Sequence, residues 1–152
     1  MSILAYLNSN LSNLPEILER YEQELDGFEK NLKLEGKSIV YANTEQPAWM
    51  SYYDQRKIEM HAIVKLVDAK VQSVRGGWWK HYNEQYERTL APKDKENYIN
   101  NKKEYIEQYE LYLEVCELYE KYASVVKAFE SRGFALRNIT DLKVHALHDS
   151  II

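Results

Sequence analysis

The chain has 152 residues, 45% of them hydrophobic, and a formal net charge of −4. That hydrophobic fraction excludes wholesale disorder, and five Gly with three Pro are too few turn residues for a β-sandwich, so the composition predicts an all-α fold. A single cysteine excludes an internal disulfide. No stretch approaches the roughly 18 apolar residues of a membrane span, and the N-terminus lacks a basic region, so we expect one cytoplasmic helical domain over residues 1–152.

A first, acidic helix is predicted over residues 14–34, after a flexible polar lead at 1–13. Asn13 followed by Glu16, with Pro15 between them, is typical of a helix start. Apolar residues then recur at alternating spacings of about three and four, which predicts one buried face. These residues are Leu14, Ile17 or Leu18, Tyr21, Leu25, Phe28 and Leu32.

Residues 35–46 are predicted to form a loop that Gly36 opens. The triplet Gly36-Lys37-Ser38 resembles the end of a phosphate-binding loop. That motif requires a glycine where this chain has Asn31, and it requires a preceding strand. We therefore expect no nucleotide cofactor here.

A second, basic helix is predicted over residues 47–75, ending at Gly76-Gly77. Between Arg56 and Tyr82 there are six Lys or Arg and two acids, a local excess of 6 − 2 = +4 in an acidic chain. Cations followed by aromatic rings are the components of a groove for single-stranded nucleic acid. The candidate nucleic-acid-binding residues are Lys57, Lys65, Lys70, Arg75, Trp78, Trp79 and Lys80.

The apolar pattern of the predicted buried face of this basic helix is interrupted by one charged residue, Arg56. Its apolar members are Trp49, Tyr53, Met60, Val64, Val67, Val71 and Val74. Two alternatives stay open for the candidate site: the cations form only a solvated face, or the tryptophans are buried in a contact. For Trp78 to Leu90 the pattern allows a short helix or an ordered loop.

A third, aromatic-rich helix is predicted over residues 94–131, with Gly133 as its stop and a short C-terminal helix over 138–148. Its main apolar row is Ile99, Tyr105, Tyr109, Tyr112, Cys116, Tyr119, Ala123 and Val126, and a second row is Leu111, Leu118, Val125 and Phe129. Its acidic face, interpreted as solvent-exposed, comprises Glu104, Glu107, Glu110, Glu114, Glu117 and Glu120.

The length of this third helix predicts self-association. At about 1.5 Å per residue it would be roughly 57 Å long, against a width of roughly 40 Å for a compact domain of this size. A single chain would leave a long apolar row exposed, which soluble monomers rarely do. The candidate assembly residues on this helix are Tyr105, Tyr109, Tyr112 and Tyr119.

Two segments near the C-terminus, SRGFAL at residues 131–136 and NITDLK at 138–143, resemble the signature of UvsY-type recombination mediators of T-even-like phages. The order of an acidic helix, a basic helix with an aromatic pair, and a long aromatic-rich helix with a lone cysteine also matches. The resemblance covers residues 14–145, most closely at 131–142. Asp68, the looser spacing of the cations and the tryptophans in place of tyrosines depart from the family.

The resemblance implies a non-enzymatic protein that binds single-stranded DNA non-specifically. It further implies a ring-like homo-oligomer, a hexamer or heptamer, that loads a RecA-like recombinase and helps displace the single-strand-binding protein. By position, the family's DNA contacts correspond to Lys65, Lys70 and Arg75, with Lys57 and Lys80 as neighbours. The alternative is a helical scaffold or adaptor that oligomerises and binds only protein partners.

Several other notable residues are expected to have structural rather than chemical roles. Arg132, Gly133 and Phe134 are expected to act in folding or assembly, Gly133 as helix terminator and Phe134 as core anchor, while Arg132 and Arg137 could add phosphate contacts. Cys116 is expected to be a buried hydrophobe. His145 and His148 lack further ligands for a metal site. No catalytic set is recognisable, so we expect no enzyme, cofactor or metal.

Overall fold

The computed structural model describes residue 7 and residues 11–145, and within that part of the chain every regular element is helical. The prediction of an all-α fold is confirmed. No described helix combines the length and the apolar character needed to cross a bilayer. After a 3₁₀ turn at Leu11–Asn13, the helices are α1 (Leu14–Leu25), α2 (Phe28–Leu32), α3 (Ile39–Glu84), α4 (Pro92–Asn100) and α5 (Lys103–Val144).

The start of α1 at Leu14 agrees with the prediction, and Pro15 lies in its first turn. The predicted helix over 14–34 is nevertheless interrupted. Gly27 adopts a left-handed conformation with φ of 84°, which glycine tolerates and which a continuous helix cannot contain. The chain therefore forms α1 and the short α2.

The predicted loop over 35–46 is wrong for most of its length, because α3 begins at Ile39. Ser38 caps this start, since its Oγ accepts a hydrogen bond from the Tyr41 backbone N–H at 3.1 Å. Asn43 and Thr44, residue types that favour a helix N-cap, instead donate to carbonyls one turn back within α3. Pro47 lies inside the helix rather than at its start.

The glycines assigned as helix stops lie within helices. α3 continues through Gly76-Gly77 to Glu84, and α5 continues through Gly133 to Val144. Glycine in a helix costs only about 1 kcal/mol, which the packing of neighbouring side chains outweighs. The predicted helices over 94–131 and 138–148 are replaced by α4 and α5, and residues 146–148 lie outside the described part of the chain. Residues 85–91, by contrast, form a non-helical connection.

The chain divides into two compact units. The first unit comprises residues up to 59 together with those from 120 onward, and the second unit comprises residues 60–119. In the first unit, Tyr53 of α3 stacks on Phe129 of α5 with ring centroids 4.9 Å apart. Tyr122 is fully buried, and its hydroxyl donates to the Tyr21 carbonyl of α1 at 2.6 Å. Aromatic packing thus joins three helices in this unit.

Arg56 is the charged residue that interrupts the predicted buried face, and acidic partners in the first unit explain why it is tolerated there. Its Nε lies 2.7 Å from Glu24 Oε2, and its Nη1 lies 3.0 Å from Glu59 Oε2. The guanidinium also lies 5.0 Å from the centroid of the Tyr52 ring. A charged residue is tolerated at this half-buried position because both carboxylates and an aromatic ring satisfy it.

Arg132 is the one buried charged side chain among the described residues, with 4% of its surface exposed. Its Nε donates to the Leu32 carbonyl at 3.0 Å and its Nη1 to Gln46 Oε1 at 2.6 Å, while Nη2 pairs with Glu45. Burial would raise the pKa of Glu45, but hydrogen bonds from Lys37, Trp49 and Arg132 outweigh it and hold this pKa below its ordinary value. Arg132 therefore joins three segments of the first unit.

In the second unit, α3 and α5 pack together and α4 covers one end. The buried residues are Met60, Ile63, Val67, Val71, Val74, Tyr82, Ile99, Val115 and Leu118. The buried side of α5 therefore corresponds to the second predicted row, through Leu118. Of the predicted main row, Ile99 and Val126 are buried, but the members from Tyr105 to Tyr119 are half-buried or exposed, because α3 covers the other row along that part of the helix.

We predict that Arg132→Ala lowers the free energy of unfolding by about 3 kcal/mol, because it leaves the carboxylate of Glu45 without its buried partner. The exposed Arg137→Ala on the same helix is the control and should change the free energy by less than about 0.5 kcal/mol. Urea denaturation followed by circular dichroism measures both. Equal losses from the two variants would contradict a structural role for Arg132.

The continuity of α3 predicts that Gly77→Ala stabilises the protein by about 0.5 to 1 kcal/mol, since a Cβ at this position meets no atom within 4 Å. Gly133→Ala should gain nothing, because its Cβ would lie 3.0 Å from Gln46 Nε2. That amide is fixed by its hydrogen bonds to Phe129 and Arg132. Thermal unfolding of both variants checks this contrast, and destabilisation by Gly77→Ala would contradict a helix at this position.

Candidate nucleic-acid interface

The end of α3 in the second unit carries an aromatic cluster centred on Tyr82. Tyr82 is buried and stacks on Tyr98 of α4, with centroids 5.7 Å apart and an interplanar angle of 28°. Trp78 and Trp79 are half-buried, and Trp78 lies 5.4 Å from His81 in an edge-on arrangement. The tryptophans are therefore positioned by packing within one subunit, while part of each indole stays accessible.

A lysine lies over each indole. Lys102 Nζ, from the turn before α5, is 4.3 Å from the Trp78 ring centroid and 5.7 Å from that of Tyr82. Lys95 Nζ, from α4, is 5.3 Å from the Trp79 ring centroid. Neither lysine is among the candidate residues predicted from the sequence. Their signal is a group of cations around α4, which comprises Lys93, Lys95, Lys102 and Lys103.

An open cleft of about 290 Å³ lies beside Trp78. Its lining is Lys70, Ser73, Val74, Gly77, Trp78, His81 and Glu104. Gly77 has open space above its Cα, so an extended backbone can approach α3 closely there. Lys70 and Glu104 give the cleft one cationic and one anionic border. We refer to this cleft, together with the Lys102 side chain over the Trp78 ring, as the indole cleft. Trp79 and Lys95 are not part of its lining and lie at the same end of the second unit.

The structure brings most of the predicted cations into the second unit. Lys65, Lys70 and Lys80 are exposed on α3. Arg75 Nη2 lies 3.7 Å from Glu96 Oε1, with 41% of its side chain exposed, so its charge is partly neutralised. Lys57 belongs to the first unit, where its Nζ lies 3.4 Å from Asp54 Oδ1.

The predicted tyrosine row lies on the surface of α5. Tyr105 and Tyr109 stack with centroids 5.9 Å apart and an interplanar angle of 10°, and Tyr109 is 6.1 Å from Tyr112. Tyr109 has 41% of its surface exposed. Tyr119 is half-buried and meets the His61 ring edge-on at 5.1 Å. Cys116, predicted to be buried, is half-buried beside these rings.

The structure contradicts what the sequence predicted for Gly133 and Phe134 and excludes a phosphate contact for Arg132. Gly133 lies inside α5 instead of ending it, and Phe134, the predicted core anchor, has 62% of its surface exposed. Arg132 is buried against Glu45 and so is unavailable to phosphate. Arg137 remains exposed, with its guanidinium 5.7 Å from the Phe134 ring centroid. Continuation of the helix past Gly133 rotates Phe134 away from the core.

Among the described residues, no group of three or more His, Cys, Asp or Glu could hold a metal ion. His145 is exposed, and His148 lies outside the described residues. The chain matches no protein-family model, and the searches of curated proteins and of solved structures gave no match.

We predict that Lys102→Met lowers the free energy of unfolding by about 0.5 to 1 kcal/mol, because it keeps the aliphatic stem but removes the charge over the Trp78 ring. Lys103→Met is the matched control, since that neighbouring side chain is 89% exposed and forms an ion pair with Glu107 one turn along the same helix. Thermal unfolding followed by tryptophan emission reports both effects. A loss in the Lys103 variant as large as that in the Lys102 variant would contradict the contact.

Proposed function

We propose that the protein is a non-enzymatic recombination mediator. It binds single-stranded DNA without sequence specificity, self-associates, and loads a RecA-like recombinase while helping to displace the single-strand-binding protein. The observation that carries the DNA-binding part is the indole cleft, where half-buried indoles and lysines share one end of the second unit. The resemblance at residues 131–142 supplies the role in recombination.

The lysines supply the phosphate contacts in this proposal. Lys70 lines the cleft beside Trp78 and Lys102 lies over the Trp78 ring, while Lys95 lies over the Trp79 ring and Lys80 is exposed on α3. Phosphate contacts are independent of base sequence and weaken as salt rises, because cation release drives them. Binding through this cleft is therefore salt-dependent and non-specific.

The indoles supply the base contacts. Stacking of a base on an aromatic side chain contributes about 1 to 3 kcal/mol and tolerates any base. Lys102 now covers part of the Trp78 ring, but its long flexible side chain can move from the ring to a phosphate when a base stacks there. Binding should then change the emission of Trp78.

Self-association increases the strength with which these weak contacts hold one DNA strand. One subunit offers only a few cations, and several subunits on one strand bind it with an avidity well above the affinity of each. An array of clefts would hold the strand extended, in a form on which a recombinase can polymerise. The partly exposed tyrosine row of α5 supports association, because apolar surface on a long helix favours burial against another chain.

The test is fluorescence anisotropy of a labelled oligothymidylate at several salt concentrations. Lys70→Gln with Lys102→Gln should weaken binding about tenfold at about 50 mM salt and reduce the slope of log K against log salt by roughly 1.4, from two lost phosphate contacts. The control is Lys30→Gln with Lys33→Gln, which removes two exposed cations from α2 and the residue after it in the first unit. Equal weakening by both pairs would place the DNA elsewhere.

The second candidate function is a helical scaffold or adaptor that binds only protein partners. The exposed apolar side chains of α5 favour it, namely Ile106, Tyr109, Leu113 and Phe134. The same titration separates the two functions. Absence of oligonucleotide binding at about 50 mM salt would exclude the mediator and leave the scaffold.

A further inference from the structure

In the second unit, α5 is apolar on two opposite sides. Val115 and Leu118 face the core with 0% and 5% of their surfaces exposed. At about 100° per residue, Ile106, Tyr109 and Leu113 lie roughly 120 to 180° around the helix from Val115. These three residues, 39%, 41% and 49% exposed, form what we call the outer row. No described element of the same subunit packs against the outer row.

Carboxylates border the outer row. Glu110 lies beside Ile106 and Leu113 on the helical wheel, and Glu114 follows on the same flank. Both side chains are exposed, and neither forms an ion pair or side-chain hydrogen bond with any described residue. Pairing of α5 with α5 of another copy through a two-fold axis would bring these like charges together, which destabilises a contact. A partner that packs against the outer row must therefore offer a surface with positive charge.

The chain itself carries such a surface on α3, also within the second unit. Ala62, Ala69 and Gly76 follow one another at seven-residue spacing, and Ala69 and Gly76 are exposed. A Cβ on Gly76 would meet no atom within 4 Å. Lys65 is exposed on the same side and has no side-chain partner among the described residues. We call this shallow cationic surface the small-residue stripe.

We propose that the outer row of one subunit packs on the small-residue stripe of a second copy, head to tail. The side chains of Ile106, Tyr109 and Leu113 fill the space above the alanines and Gly76, and Glu110 meets Lys65. α3 and α5 pack through their buried sides, so the row and the stripe face opposite directions. Each subunit thus offers one surface to each neighbour.

This arrangement has two consequences. A head-to-tail contact that closes produces a ring, whereas a two-fold contact ends at a dimer. Lys65, a predicted DNA contact, becomes a subunit contact, while the indole cleft stays open for DNA. The inference rests on the proposed self-association and names the surfaces that produce it.

The test measures assembly by sedimentation velocity across a concentration series of the full chain. Leu113→Ser should raise the midpoint concentration for dissociation at least tenfold, because it removes a buried apolar side chain from each contact. Ile139→Ser is the control, since Ile139 is similarly exposed, at 36%, on the first-unit part of the same helix. An unchanged midpoint in Leu113→Ser would overturn the assignment.

Charge reversal tests the direction of the contact. Lys65→Glu and Glu110→Lys should each raise the midpoint about fivefold, and an equimolar mixture of the two variants should restore it, because alternating subunits then meet only opposite charges. Two-fold pairing of α5 that sets Glu110 against Glu114 of the second copy predicts the reverse for Glu110→Lys, tighter association, and that result would overturn the proposal.

The outcomes also separate this inference from the proposed function. Wild-type protein that remains a single subunit would overturn both. An assembly that none of these variants weakens would overturn the surfaces only. Oligonucleotide binding to dissociated Leu113→Ser at the affinity of one subunit is expected, and complete loss of binding in that variant would overturn the separation of the cleft from the contact.

Discussion

Burial of one apolar side of α3 against one apolar side of α5 is the constraint on which the surfaces of this protein depend. In the second unit, Met60, Val67 and Val115 occupy the buried positions. Once these residues face inward, the rotation of each helix about its own axis is set. Every other residue of both helices then has a defined direction, including Lys65 and Tyr109.

The first unit adds a polar constraint to the apolar one. Arg132 can be buried only because Glu45, Gln46 and the Leu32 carbonyl surround its guanidinium. A sliding of α5 by one residue would leave this charge without partners, at a cost of several kcal/mol. The charged group therefore selects one register of α5, whereas apolar contacts alone tolerate small shifts. Arg56 is held by its two carboxylates in the same way.

In the proposed function, the second unit carries two kinds of surface. The indole cleft presents Lys70 and Lys102 beside a Trp78 ring that is already held by packing. Preformed rings lose little conformational entropy when a base stacks on them, which favours binding by a short strand. In the proposed function, Glu110 and Glu114 beside the outer row repel phosphate, which favours protein over DNA on that surface.

By itself the sequence determined the helical class, the start of α1 at Leu14, and the presence of a cationic stretch beside a tryptophan pair. These features depend on local composition and spacing, which the chain displays directly. It also showed two apolar rows on α5 but not which of their members are buried, because both rows repeat at helical spacing and only the contacts with neighbouring helices distinguish them.

Only the tertiary structure decided the rest. Gly76, Gly77 and Gly133 are local stop signals of about 1 kcal/mol each, and packing along the buried sides of α3 and α5 outweighs them. Lys95 and Lys102 come close to the indoles because α4 folds back onto Tyr82. The partners of Arg132 lie up to 100 residues away in the chain. Contacts over such separations leave no local pattern, and they become visible only when the chain has folded.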